Sequence, residues 1–529
     1  MTSRDYWEMR ARQAQMDEYL YSEDAYRYIS GVMDETKEKI WEKLLYYLSR
    51  ISGETGLSFE RLKEKLTAGE LEHYRMSLEE YIKLAESAVT KADMHRLNMA
   101  SHMHGIDRLT AMAEEINRYT HEAYLKYQNH LGKFLEDSFE REWERIGEEI
   151  GNQKTLLLED KAVPQKPEAP KSKVPKPKAQ KPDAPLKIDK RKMNQILKEP
   201  WASDKNFSDN IWQDKQRLAD ELRKELTQAT ITGEKLENVE KRIADKFDTH
   251  KKAARRLVHT ENAYATSKAR QERYKEDGVE KYQYIATLDL KTSKPCRGLD
   301  KKVFQTVDYA VGTTAPPMHP HCRSTTVAYY GMESSTRMAR NPVTGKSEKV
   351  DNMNYQEWYD KYVKGNPEAE AREKMWQNRY QDDKQYQRYQ AVLGKNAPKT
   401  LEEFQKMKYI KPEDFEELKQ DFDVHKAIEK NAKITDKARA KDLYRRFREN
   451  GVYASDHFIE QFINREHDKK GNQVFTFEEI AEIAKKKPNY KDEKNGREIT
   501  IDNGISIIKE EGKAITLRKG RLSKRWKKI

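Results

Sequence analysis

The spacing of apolar positions predicts a mainly helical chain. Apolar residues recur every three or four positions from Ile29 to Ile51, which is the spacing of one face of an α-helix. Helical patterns cover most of residues 1–160, and a capping signal at Ser77 and Glu80 predicts the start of one of those helices. Further helical patterns follow in four ranges: 211–230, 234–247, 255–275 and, more polar, 331–425. Long surface-rich helices therefore dominate the prediction.

Strand-like alternation is confined to two places. Residues 282–288 alternate between apolar and polar side chains. Near the C-terminus, three helical patterns precede three short strand patterns, at 497–502, 505–509 and 514–518. Asn503-Gly504 and Glu511-Gly512 separate these strands, and such pairs favour tight hairpin turns. Helices followed by an antiparallel meander predict a small α+β domain at the C-terminus.

A change of composition divides the chain. Residues 163–185 hold seven of the 17 prolines together with many lysines, which predicts an extended, solvated spacer. We predict five parts: a helical region at 1–160, a Pro/Lys-rich linker at 161–187, a small α+β domain at 188–330, a polar helical region at 331–429 and a small α+β domain at 430–529. The predicted fold class is mainly α with two small α+β domains.

Composition and charge exclude several classes of protein. Hydrophobic and charged residues each make up 36% of the 529 residues, which is little core material for one compact enzyme. The net charge of +12 is mild, and contact with nucleic acid is a hypothesis that this charge alone does not make specific. No apolar run approaches the ~20 residues of a membrane span, and no signal peptide is recognisable. Two cysteines form no disulfide framework, so we predict folding in a reducing cytoplasm.

The densest special chemistry lies between residues 259 and 323. Three motifs stand there: HTENAYATSKA, LDLKTSKPCRGLDKKVF and PPMHPHCR. Together they resemble the Mu F-like head morphogenesis domain of tailed-phage minor head proteins. That family pairs a helix with R-x-x-x-T-E-x-x-x-A, a C-x-x-LDGK-x-F turn and a closing PP-x-HP-x-CRC. The matching structural positions are Arg256, Thr260, Glu261, Asp300, Pro317, Pro320 and Arg323.

The resemblance extends, with weaker matches, over roughly residues 1–420. It implies a minor capsid protein at the portal vertex or head interior of a virion, assembled in the bacterial host cytoplasm. The implied partners are the portal, scaffold and major capsid proteins, with phage DNA as a further candidate. Three positions depart from the family pattern: Lys301 replaces a glycine, while Ser293 and Ser324 replace cysteines found in many relatives.

The resemblance also raises a structural zinc site. Cys296, His319, His321 and Cys322 could supply four ligands, because thiolate and imidazole suit Zn²⁺. His319 and His321 are expected on one side of an extended segment that Pro320 holds open. The alternative is a packed Cys/His turn without metal, since two cysteines of the family pattern are missing.

A third interpretation of the same residues is the catalytic site of a thiol hydrolase, formed by a Cys–His pair and Glu261. No oxyanion-hole glycines surround Cys296, so a structural role is favoured. We expect Thr260 and Glu261 to attach their helix to the turn by hydrogen bonds, with Arg256 or Arg323 paired to Glu261.

The C-terminal domain resembles small nuclease-like domains of the barnase, EndoU, colicin and RelE group. The matching residues are His457, Arg465, Thr516 and the nearby Arg518. Such a set could cleave RNA without metal, because imidazole can move a proton while arginine and threonine steady the phosphate. Equally, His457 can cap or pack, Thr516 can be an ordinary strand residue and Arg465 can lie on a solvated face.

Three functional hypotheses follow from these readings. The first is a phage minor head protein, active in head morphogenesis and portal-associated assembly or DNA ejection, with a C-terminal accessory domain. The second is that the C-terminal domain is an active, metal-independent RNase-type toxin, which would make RNA a partner. The third is a DNA-binding packaging factor that uses the lysine-rich linker and tail.

Overall fold

A computed structural model describes residues 3–53, 56–57, 59–75, 107–161, 187–331, 335–520 and 523–529. The predicted capping box at Ser77 and Glu80 and the proline-rich segment 163–185 lie outside these residues. The chain divides into two compact units, residues 1–361 and 362–529, which are described separately. Most described residues are helical and the strands form small antiparallel sheets, which confirms the predicted fold class. No helix in the described ranges is both long enough and apolar enough to span a bilayer.

Long helices form the body of the first unit. They are α1 (Ser3–Ile51), the short α2 (Phe59–Leu62), α3 (Arg108–Lys161), α4 (Lys190–Lys198), α5 (Phe207–Thr232) and α6 (Leu236–Glu276). A single core runs through them, with Leu44, Leu131, Leu218 and Val258 among its fully buried side chains. Helices that precede and follow residues 163–185 therefore bury their apolar faces against one another. The five-part division of the chain stays a prediction.

Polar contacts set how α6 lies against α1 and α3. Glu142 of α3 is fully buried between Arg145 and Arg270, and these two cations outweigh desolvation and lower the pKa of its carboxyl to about 2. On the other side, Glu23 of α1 accepts hydrogen bonds from Arg255 and from His259. Removing one partner from the buried Glu142–Arg270 pair would leave an uncompensated charge, so this contact restricts sliding of α6.

A small α+β layer follows α6. Its antiparallel sheet has the order β4-β3-β5, from β3 (Lys281–Ile285), β4 (Val303–Gln305) and β5 (Thr325–Ala328). Helix α7 (Lys294–Leu299) lies between β3 and β4, and the hairpin of β6 (Thr336–Arg340) and β7 (Ser347–Asp351) leads to α8 (Tyr355–Tyr362). The strand predicted over 282–288 ends at Ile285, because the Ala286 amide donates to the Asp300 carboxylate instead of a neighbouring strand. A two-residue pair, β1 (Ser52–Gly53) and β2 (Gly56–Leu57), completes this unit.

The second unit begins with four polar helices: α9 (Pro367–Gln377), α10 (Arg379–Leu393), α11 (Leu401–Ile410) and α12 (Pro412–Lys430). Aromatic residues hold them together, with the Tyr389 ring in contact with the rings of both Phe404 and Phe422. The Thr400 side chain caps α11 by accepting from the Glu403 amide.

The C-terminal part packs three helices against a sheet. The helices are α13 (Lys437–Glu449), α14 (Asp456–Arg465) and α15 (Phe477–Lys485). The sheet has five antiparallel strands in the order β11-β10-β9-β8-β12, namely β8 (Tyr490–Asp492), β9 (Glu498–Asp502), β10 (Ile505–Glu510), β11 (Lys513–Lys519) and β12 (Trp526–Lys528). The predicted helices-then-meander order is confirmed. The sequence prediction missed β8 and β12, since their sequences YKD and WKK lack a strand-like apolar pattern.

Candidate metal centre

Three thiol and imidazole side chains meet beside the β4-β3-β5 sheet. The Sγ of Cys296 lies 3.5 Å from Nε2 of His319 and 3.7 Å from Sγ of Cys322. All three potential ligand atoms lie within 4.8 Å of one another. Cys296 is buried and Cys322 is partly buried, and neither forms a disulfide. We call these three residues the Cys/His cluster.

Short elements around β3 place the cluster. Cys296 lies in α7, directly after β3, while His319 and Cys322 come from the turn that precedes β5. The turn is closed by the Cys322 amide, which donates to the His319 carbonyl at 3.1 Å. From β3 itself, the buried hydroxyl of Tyr284 donates to Cys296 Sγ at 3.2 Å. The sheet therefore brings together residues 26 positions apart and supports one of them directly.

The spacing of the cluster fits a tetrahedral metal. With Zn–S bonds of about 2.3 Å and Zn–N bonds of about 2.0–2.1 Å, tetrahedral geometry places two sulfurs about 3.8 Å apart and a sulfur and a nitrogen about 3.6 Å apart. The distances in the protein are 3.7 Å for the two sulfurs and 3.5 Å for Cys296 Sγ and His319 Nε2. Two thiolates and one imidazole are donors that zinc prefers. Water or a nearby hydroxyl would complete the fourth position.

Neighbouring groups also set the orientation and the protonation state of the three potential ligands. His319 directs Nδ1 at the Pro320 carbonyl, 2.8 Å away, which fixes the tautomer whose Nε2 faces Cys296. The Cys322 thiol donates to Cys296, so the pKa of Cys296 is lowered while that of Cys322 is raised. A hydrogen bond from the Ser324 hydroxyl further favours the Cys296 thiolate. The two sulfurs thus share a proton that a divalent cation can displace.

His321 is not part of this cluster. The segment around Pro320 is a turn rather than an extended strand, and His321 has a φ of +58°. Its ring lies 5.6 Å from that of His259 on α6, while His319 faces the sulfurs. The expectation that both histidines share one side is therefore wrong. The left-handed residue at 321 reverses the direction of the chain between them.

Because only one of the two histidines faces the cysteine sulfurs, their substitution should affect zinc binding differently. We expect His319→Ala to weaken zinc binding at least tenfold, whereas His321→Ala should leave zinc affinity and stoichiometry unchanged. A competition titration with a chromophoric zinc chelator measures both. Equal loss of affinity in the two variants would restore the four-ligand set predicted from the sequence.

Two ion pairs, one of them fully buried and one partly exposed, hold the segments that carry the cluster. Asp300, which follows α7, accepts from the Ala286 amide at 2.7 Å and from Arg337 Nη1 at 2.8 Å, and both charged side chains are fully buried. Arg337 also donates to the carbonyls of Ala286 and Met353. Arg323, beside Cys322, pairs with both carboxylate oxygens of Asp289. Arg337 was not among the predicted site residues, because an arginine within a short polar hairpin carries no signal of burial.

The turn after Asp300 contains Lys301, which replaces the glycine of the family pattern. Lys301 has a φ of +65°, a conformation in which glycine is favoured, and its amide donates to the Tyr284 carbonyl at 2.8 Å. The glycine of LDGK therefore corresponds to a left-handed position that Lys301 occupies with some strain. Pro317 is buried within a cis Pro316–Pro317 pair, whereas Pro320 is exposed.

The helix motif has different partners from those expected. Thr260 donates to the Arg256 carbonyl within α6, and the Arg256 side chain is exposed. Glu261 is buried and accepts from the indole Nε1 of Trp201 at 3.0 Å, so it anchors the segment between α4 and α5 rather than the turn. The predicted pairing with Arg256 or Arg323 is wrong, as is the predicted attachment of the helix to the turn.

Because Glu261 is buried, its protonation makes the free energy of unfolding depend on pH. Desolvation raises the pKa of its carboxyl to about 7, against a smaller lowering by the Trp201 hydrogen bond. A raised pKa in the folded state adds stability below the unfolded pKa near 4.5, and this stability is lost as pH rises to 7. We expect a loss of about 3 kcal/mol over that range, at 1.36 kcal/mol per pKa unit.

Glu261→Gln should remove this slope, since its amide oxygen can still accept from Trp201. Urea denaturation at pH 5 and pH 8 measures the slope for both proteins. Glu199→Gln, on the neighbouring exposed segment, serves as the matched control. Identical pH profiles for the native chain and Glu261→Gln would contradict the assignment.

The residues of the nuclease-like prediction lie on α14 and β11. His457 is half-exposed and its Nδ1 lies 3.1 Å from Oε2 of the buried Glu460, while Ser455 rather than His457 caps the helix. Arg465 donates to the Leu517 carbonyl, between Thr516 and Arg518 on β11. Eight residues of helix separate His457 from Arg465, a rise of about 12 Å. A shared catalytic role for the four residues stays a prediction.

The architecture of the first unit is a bundle of long helices that carries a small antiparallel sheet. A turn that contains His319 and Cys322 closes this sheet. Comparison then adds a family: residues 220–327 match the family described as Phage Mu protein F like protein. The match covers about one fifth of the chain, from within α5 to β5, and includes Glu261 and the whole Cys/His cluster. It supports a protein related to phage heads.

No curated protein and no solved structure matches the chain. The family match ends at residue 327 and so gives no support to a nuclease-like domain at 430–529.

Proposed function

We propose that this protein is a phage minor head protein that acts in head morphogenesis at the portal vertex. The proposal rests chiefly on the family match over residues 220–327, which encloses the Cys/His cluster. The portal, scaffold and major capsid proteins are the proposed partners. The proposed location is the virion, after assembly in the bacterial host cytoplasm.

Within this function we propose a structural zinc at Cys296, His319 and Cys322. Zinc would join α7 to the turn before β5, two segments that also pack together through Leu299 and Met318. A structural role suits the burial of Cys296, whose side chain is 2% exposed and therefore poorly placed to attack a substrate. The Mu F-like region would then present a rigid surface to its assembly partners.

The test uses the phage or prophage that encodes this chain. Its gene is deleted, and particles made with and without a complementing copy are compared by electron microscopy and by mass spectrometry of purified heads. We expect few DNA-filled heads in the deletion and recovery of the protein with portal protein in the complemented strain. Normal titre in the deletion, together with absence of the protein from purified particles, would refute the proposal.

The other two hypotheses have separate tests. RNA cleavage by the full chain, lost in His457→Ala, would support an RNase-type domain, whose strongest structural feature is the exposed His457–Glu460 pair. A packaging factor predicts DNA affinity that falls steeply with salt. Neither hypothesis has the support of the family match.

A further inference from the structure

Positive charge is concentrated at the C-terminal end of the chain. Residues 430–529 hold 26 lysines and arginines against 16 aspartates and glutamates, an excess of ten. The whole chain of 529 residues has a net charge of +12. Fewer than a fifth of the residues therefore carry most of the net charge, which is the electrostatic footprint of a surface that meets a polyanion.

Much of this charge lies at the β8–β12 edge of the sheet. Strand β12 pairs with β8 so that Lys527 is directly opposite Lys491 and Lys528 is opposite Tyr490. Like charges directly opposite each other destabilise a strand pair. Glu493 forms an ion pair with Lys527, and on its other side Lys491 lies opposite Glu498 of β9 without forming an ion pair with it. The repulsion between the two lysines is therefore only partly offset by these carboxylates.

Several cations around this edge form no ion pair with a described residue. Six exposed side chains there form no ion pair with any residue in the described ranges: Lys487, Lys491, Lys494, Lys524, Arg525 and Lys528. Of the acids near these cations, Asp492 accepts from the Trp526 indole, Glu493 pairs with Lys527, and Glu498 of β9 lies opposite Lys491. Lysines also protect exposed sheet edges from aggregation, and the test below separates that role from binding.

Two aromatic rings accompany the cations. Alternation along the paired strands places Tyr490 and Trp526 on the same face as Lys528 and Asp492, whereas Lys491 and Lys527 lie on the opposite face of the edge. Both rings are partly exposed, and the Trp526 indole is held by its hydrogen bond to Asp492 at 3.2 Å. Aromatic rings beside phosphate-binding cations form the stacking platform that single-stranded nucleic acids use.

We propose that the β8–β12 edge binds single-stranded nucleic acid, with bases stacked on Tyr490 and Trp526 and phosphates held by the surrounding lysines and arginines. Sequence preference should be weak, because stacking accepts every base and phosphate contacts carry no sequence information. This binding activity is separate from head assembly and does not depend on the Cys/His cluster.

The experiment measures fluorescence anisotropy of a labelled 20-nucleotide oligo(dT) with the full chain over a range of salt concentrations. The logarithm of the association constant should fall linearly with the logarithm of salt concentration, with a slope of about −0.7 per phosphate contact. Lys491→Glu/Lys528→Glu should weaken binding at least tenfold and make the slope shallower. Trp526→Ala should weaken binding at least fivefold and leave the slope unchanged, because stacking releases no counterions.

A matched control makes the same charge change elsewhere. Lys224→Glu/Lys241→Glu alters two exposed lysines of the first unit and should leave binding unchanged. Circular dichroism confirms that each variant keeps its fold, and Lys491→Gln/Lys528→Gln replaces the charge-reversed variant if that one does not fold. Equal weakening by the control, absence of binding at 50 mM salt, or equally tight binding of a 20-base-pair duplex would each overturn the proposal. Aggregation of the edge variants with unchanged binding would assign these lysines to edge protection instead.

Discussion

Arg337→Met should lower the free energy of unfolding of the first unit by about 3–5 kcal/mol, the usual cost of leaving one buried charge without its partner. The Arg337 guanidinium and the Asp300 carboxylate are both fully buried. Arg337 also donates to the carbonyls of Ala286 and Met353, so its loss removes these two hydrogen bonds as well as the charge partner of Asp300. Methionine matches its volume and supplies no donor. Urea denaturation of the full chain, followed by circular dichroism, measures the change.

Two further measurements locate the effect. Hydrogen exchange of the Ala286 amide should accelerate, because that amide donates to the carboxylate that Arg337 holds in place. Arg27→Met removes an exposed ion pair with Asp24 and should change stability by less than about 1 kcal/mol. In the Arg337→Met background, Asp300→Asn should cost less than it does in the native chain, since the buried charge is already unpaired. A loss no larger than that of Arg27→Met would contradict the role of the pair.

Cys296→Ser should reduce bound zinc from one ion per chain to less than a tenth. Cys296 touches both other members of the Cys/His cluster, so no pair of the remaining ligands can compensate for it. A ligand present at a thousand times its dissociation constant stabilises the folded state by about 4 kcal/mol. Chelation should therefore lower the melting temperature of the native chain and leave that of Cys296→Ser unchanged. Elemental analysis and thermal denaturation measure the two effects.

Ser324→Cys is the matched variant for this experiment. The Ser324 hydroxyl already hydrogen-bonds to Cys296, so a thiol at this position can approach the same metal. We expect tighter zinc binding in Ser324→Cys, with the stoichiometry kept at one. Zinc should dissociate as pH falls, because protons compete for thiolate and imidazole. The sulfurs of Cys296 and Cys322 lie 3.7 Å apart, close enough for a small movement to join them as a disulfide. Recovery of a zinc-free native chain with that disulfide would contradict the proposal.

The sequence predicted the helices well, because helix formation depends on neighbouring residues. The stripe from Ile29 to Ile51 is buried in α1. Strands β8 and β12 were missed because they are held by pairing with distant strands rather than by their own composition.

For the candidate site, the sequence supplied the residue types and the structure selected among them. Cys296, His319 and Cys322 were named in advance, but the left-handed backbone at His321 sends that side chain toward His259. Backbone reversals of this kind depend on packing around the turn. For the same reason the partners of Glu261 and Asp300, which are Trp201 and Arg337, come from segments that no local pattern connects.

The sequence by itself determined that this protein is mainly helical, that it has a small C-terminal α+β part, and that one Cys/His-rich stretch resembles phage head proteins. These conclusions depend on periodicity, turn residues and motif spacing, all of which are local. The tertiary structure alone decided which three ligands meet, which buried charges pair, and that helices separated by the proline-rich segment share one core. Such contacts join residues far apart in sequence, and their formation depends on the burial and desolvation of the folded chain.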